Sequence, residues 1–76
     1  MSKADKREQR IRENQCNVSL EDFEALIKRY GSIKFGGSHP KATIGNVMFP
    51  YKRTNPVKPP YVEGILEIID KFKNGV

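Results

Sequence analysis

The chain has little of what several functional classes require. It holds one cysteine, Cys16, so no intrachain disulfide can form and no multi-cysteine zinc site can be assembled. A reducing, cytosolic setting is the expectation that follows. It holds one histidine, His39, and one His, one Cys and scattered carboxylates compose no metal site, so neither metal nor cofactor is expected. Its longest apolar stretch, Ile65-Leu66 with Ile68-Ile69 interrupted by Glu67, falls far short of the roughly 20 residues that cross a bilayer, so no membrane partner is expected. The first residues are charged and lack an apolar core, which argues against a secretory signal. With 76 residues, the chain has room for one compact core and no second domain.

Acidic residues are missing from one long interval. Residues 31–60 carry Lys34, Lys41, Lys52, Arg53 and Lys58 and no Asp or Glu, while the rest of the chain is balanced, so the net charge of +5 belongs to the middle. Such a surface attracts polyanions, nucleic acid before anionic lipid. Solubility alone would also account for it.

Residues 1–17 are polar and charged, with Ala4 and Ile11 the main apolar residues. With no apolar stripe to bury, this extension reads as a frayed helix or a flexible tail, and removal of residues 1–15 is expected to cost little of the fold. At Val18 the pattern changes. Ser19 followed by Asp22 has the form of a capping box, Val18 and Phe23 take the staple positions, and Leu20, Phe23, Leu26, Ile27 and Tyr30 share one helical face. Glu21, Asp22, Glu24, Lys28 and Arg29 take the other faces, and Gly31 is expected to end the helix in the left-handed conformation.

Alternation then predicts strands over Ser32-Ile33-Lys34-Phe35, over Lys41-Ala42-Thr43-Ile44 and over Val47-Met48-Phe49, the last two joined by a Gly45-Asn46 turn. Pro50 ends the third strand, and Thr54-Asn55-Pro56 with Pro59-Pro60 makes a stiff connector rather than a proline-rich ligand. A last helix starts near Pro60 and buries Val62, Ile65, Leu66, Ile69 and Phe72, with Lys71 and Lys73 at its C-terminal end. The order helix, three strands, helix gives an α+β fold, a two-layer α-β-β-β-α sandwich on a three-stranded antiparallel sheet.

His39 is the one side chain whose ordinary pKa suits proton exchange near neutrality. RNA carries its own nucleophile, the 2′-hydroxyl, so one base and nearby positive charge suffice in principle to cleave it. Lys34, Lys41, Lys52 and Arg53 are the candidates to hold phosphates. A turn histidine with a local hydrogen bond is the competing reading of His39. Gly36-Gly37 would let a backbone approach a phosphate or would only make a tight turn. Ser38 would orient His39 or a phosphate, or bond within its own turn. Tyr51 would stack on an unpaired base or close the sheet. Cys16 has no activating neighbour and is assigned no chemistry.

The run Asn17-Val18-Ser19, Tyr30-Gly31-Ser32-Ile33, Gly36-Gly37-Ser38-His39 and Met48-Phe49-Pro50, closed by an Ile/Leu-rich helix, resembles the HicA toxins of bacterial toxin–antitoxin pairs over about residues 17–73. The resemblance implies a HicA-like domain over 18–76, a double-stranded-RNA-binding-like fold, mRNA cleavage and neutralisation by a HicB-like antitoxin. It makes His39 the catalytic residue and Gly37-Ser38 the turn that presents it. A non-catalytic RNA-binding module of the same fold is the alternative, and a domain that binds an acidic protein a third.

Overall fold

The computed structural model describes residues 2–75. In chain order its elements are α1 (Lys3–Glu13), α2 (Leu20–Tyr30), β1 (Ser32–Lys34), β2 (Lys41–Ile44), β3 (Val47–Pro50) and α3 (Pro59–Lys73). The fold is α+β, with three helices and one open antiparallel sheet of order β1-β2-β3 among the described residues. None of the described helices is long and apolar enough to cross a membrane.

Register assigns the two faces of the sheet. Ile33 lies opposite Ala42, which lies opposite Phe49, and Ile44 lies opposite Val47. Ala42 and Ile44 are buried against the helices, joining Phe23, Leu26 and Ile27 of α2 and Val62, Ile65, Leu66 and Ile69 of α3 in one core. Because side chains alternate along a strand, Ser32, Lys34, Lys41, Thr43 and Met48 project from the other face. The hairpin has the expected Gly45-Asn46 loop, with Gly45 at φ +60° and no positive φ at Asn46, the pattern of a II′ turn.

The N-terminus of α2 has half of its expected box. Ser19 Oγ accepts from the Asp22 N–H at 3.1 Å, but the Asp22 carboxylate is bound by Arg7 and Arg10 of α1, each at 3.2 Å. Gly31 does end the helix, though by a different mechanism from the one its sequence suggests. Its φ of −162° is extended, and a Cβ there would stand 1.9 Å from the Thr43 carbonyl oxygen. Glycine at 31 serves the close passage of β2, not a left-handed cap. Phe72, expected in the core, is 48% exposed and lies against Gly45 at the hairpin end.

The largest departure is the N-terminal extension. Residues 3–13 form a helix with a complete capping box: Ser2 Oγ accepts from the Asp5 N–H, and the Asp5 carboxylate accepts from the Ser2 N–H. The helix is docked, not frayed. Ile11 is 2% exposed within the core, and Glu8 is buried beside it. The Glu8 carboxylate accepts from the Tyr30 hydroxyl and Arg29 of α2, from Arg12 of α1 itself and from Lys73 of α3. Arg12 also bridges to Asp70 of α3 at 2.8 Å. One apolar anchor inside a ring of ion pairs replaces the stripe that this helix lacks.

Candidate functional site

The link from β1 to β2 is the acid-free segment Phe35, Gly36, Gly37, Ser38, His39, Pro40. Gly37 takes φ +69°, the left-handed region that glycine enters without strain. A Cβ there would meet nothing within 4 Å, so the requirement is conformational and not steric. Ser38 and His39 are exposed, whereas the next residue, Pro40, is buried and its carbonyl accepts from the Tyr51 N–H at 3.1 Å. That bond extends the ladder beyond β3 and fixes the end of the loop. His39 therefore stands in solvent one residue from an anchored backbone. Neither its ring nor the Ser38 hydroxyl finds a side-chain hydrogen-bond partner among the described residues.

Directly after the loop, Lys41 lies opposite Lys34 on the outward face. Two like charges in register repel, since opposed side chains in a sheet begin about 5 Å apart. Among the described residues, no carboxylate lies within ion-pair reach of Lys34, Lys41, Lys52 or Lys58, whereas most of the other arginines and lysines pair with acids. The outward face thus carries positive charge uncompensated among the described residues, at the end of the loop that holds the exposed His39. An anion on this face would relieve the repulsion.

Two residues that the sequence suggests as RNA contacts bind one and the same buried carboxylate, Glu24. Tyr51 is 1% exposed and packs edge-on against Phe23 with ring centroids 5.0 Å apart, so it closes the sheet and cannot stack on a base. Its hydroxyl donates to Glu24 Oε2 at 2.6 Å. Burial, then the hydrogen bond to the Glu24 carboxylate, push its pKa above the ordinary tyrosine value. Arg53 grips the same carboxylate with both arms of its fork, Nε at 3.0 Å and Nη2 at 3.2 Å, and its guanidinium carbon lies 5.4 Å from the centre of the Phe35 ring. Arg53 is thus partly neutralised, unlike Lys34, Lys41 and Lys52.

Glu24 and Phe35 are the site residues that the sequence pattern does not reveal. Charge assigns Glu24 to a solvent face, yet it is four residues after Leu20 and three before Ile27, which is the spacing of the buried stripe, and it is 8% exposed. Alternation assigns Phe35 to a strand, yet β1 ends at Lys34 and the ring is 56% exposed.

Among the described residues, no three of His, Cys, Asp and Glu gather as metal ligands would. A scan against protein-family models, a search of curated proteins and a search of solved structures each return no match for the chain.

Proposed function

We propose that the chain is a metal-independent endoribonuclease, an mRNA-cleaving toxin of the HicA-like kind with a double-stranded-RNA-binding-like fold. On this reading it acts in the cytoplasm and is held inactive by a HicB-like antitoxin that covers its basic face. The observation that carries the reading is the arrangement at the start of β2: an exposed His39 after the Gly36-Gly37-Ser38 turn, two residues before Lys41, which lies opposite Lys34, neither lysine being paired with an acid among the described residues.

The chemistry requires no further component. His39 takes the proton of a 2′-hydroxyl, whose oxygen attacks the adjacent phosphorus and forms a P–O bond. The bond to the 5′-oxygen breaks, and that oxygen leaves with a proton from water or from the imidazolium. The products are a 2′,3′-cyclic phosphate and a 5′-hydroxyl. Lys34, Lys41 and Lys52 hold flanking phosphates and offset the charge that builds on the phosphorane.

The test is cleavage of a labelled structured RNA in EDTA by the wild type and by His39→Ala, with end-group analysis. General acid–base catalysis contributes about 100- to 10,000-fold, so the variant should lose at least about 100-fold in rate while it still binds RNA. Equal binding with no cutting by either chain would overturn the catalytic claim. The second reading, a non-catalytic RNA-binding module, then stands. It is favoured by one observation: among the described residues, nothing orients the His39 ring, whereas a general base is commonly held by a third group.

A further inference from the structure

A buried carboxylate is costly to keep unless its oxygens are fully engaged. Glu24 meets that condition through Tyr51 and Arg53, and the outcome of the arrangement is a guanidinium held in one place at the surface. The relay runs outward from the core, from Phe23 to Tyr51 to Glu24 to Arg53, and ends over the ring of Phe35. Phe35 itself is 56% exposed, is the first residue after β1 and comes immediately before the Gly36-Gly37-Ser38-His39 turn. A single exposed apolar ring is ordinary on a protein surface. A ring under an arginine fixed by a buried acid, in a segment with no acidic residue, is a prepared surface.

We infer that Phe35 and Arg53, held by Glu24, form a stacking platform for one unpaired nucleobase, so that the strand reaching His39 is single-stranded at that nucleotide. The inference rests on the RNA-directed reading above and adds a substrate class to it. Bases stack on aromatic faces and on guanidinium planes with little regard to sequence, because each base presents a π-face. A base held in a duplex has both faces covered by its neighbours and cannot take this place. The platform lies at one end of the loop, and Lys41 follows its other end.

The experiment compares a fluorescein-labelled oligouridylate with a duplex RNA of equal length, by anisotropy at fixed salt. Removing one stacking ring costs about 5- to 150-fold in single-strand affinity. Phe35→Ala should show that loss on the oligouridylate and change duplex affinity by less than about 2-fold. Phe35→Trp should retain affinity. Because the chain has no tryptophan of its own, the indole emission of this variant should be quenched by the oligouridylate and not by inorganic polyphosphate, which carries the charge without the bases. Wild-type binding of RNA that is indifferent to Phe35→Ala, or that falls equally for both RNAs, overturns the platform and leaves the RNA-directed reading standing. Failure of the wild type to bind either RNA overturns both. Phe35 is exposed, so circular dichroism of the variants should match the wild type and separates these outcomes from misfolding.

Discussion

Replacing Ile11 with alanine tests whether α1 belongs to the cooperative core. Ile11 is 2% exposed and is the buried apolar anchor of its helix. The change removes three carbon atoms, about 2.4 kcal/mol at about 0.8 kcal/mol per buried methylene. Incomplete collapse around the vacated volume adds to this, and the range for such substitutions is about 2–5 kcal/mol. Alanine's better helix propensity returns a few tenths of a kcal/mol. A net loss of about 2–3 kcal/mol follows. For a chain of this length total stability is about 4–11 kcal/mol, so the loss is a large share of it. At about 4–8 °C per kcal/mol, thermal melts followed by helical circular dichroism should show a single transition lowered by roughly 10–20 °C. Deleting residues 1–15 should cost at least as much. The wild type and the Ile11→Ala chain both keep the ion pairs around α1, so the difference between them reports on Ile11. A shift below about 2 °C would refute the reasoning. So would an early transition that loses one helix while the remainder melts at the wild-type temperature.

Two further predictions concern charge. Burial pushes the Glu8 carboxyl up, but hydrogen bonds from Tyr30, Arg12 and Lys73 outweigh it, so its pKa lies below the ordinary 4.5. A carboxylate depressed in the folded state contributes stability that is present above its ordinary pKa and lost as pH falls through the folded value. The melting temperature of the wild type should therefore drop below about pH 4.5. Glu8→Gln should be less stable at pH 7 and show a flatter acid limb, and identical limbs would count against the role of Glu8. Lys34→Glu replaces a like-charge pair with an opposite-charge pair across β1 and β2 and should stabilise the fold by about 0.2–1 kcal/mol in urea melts. The same variant should bind RNA more weakly and with a shallower salt dependence, by about one unit of slope for each phosphate it no longer neutralises. Unchanged RNA affinity would remove Lys34 from the interface.

Much of the architecture is legible in the sequence because its determinants are local. The Leu20-to-Tyr30 stripe, Ser19 at the N-cap, Gly45-Asn46 between alternating strands and the Ile/Leu spacing after Pro60 each act within a few residues, and each forms the element it suggests. His39, Lys34 and Lys41 are legible as candidates for a similar reason, since an interval without acidic residues is a property of the chain itself. The Lys34–Lys41 opposition is a matter of register across the β1–β2 ladder, and the alternation of each strand already puts both lysines on its polar side.

What tertiary structure alone decides involves residues far apart in the chain. α1 has one buried isoleucine and no stripe, and its place depends on Arg12 meeting Asp70 and on Glu8 meeting Tyr30 and Lys73, partners that only folding brings near. Glu24 is, by sequence, one more acid on a charged helix, and it becomes a buried anchor because Tyr51 and Arg53, about 30 residues on, enclose it. Gly31 has the local setting of a helix cap, whereas the constraint on it is the Thr43 carbonyl of another element. Periodicity, capping and turn chemistry are short-range forces written in adjacent residues, so the sequence by itself determined α2, the three strands and α3 and their order, but not the docking of α1. The partners of a buried charge, and the arginine that a buried acid holds over Phe35, depend on which surfaces meet, and only the folded chain decides that.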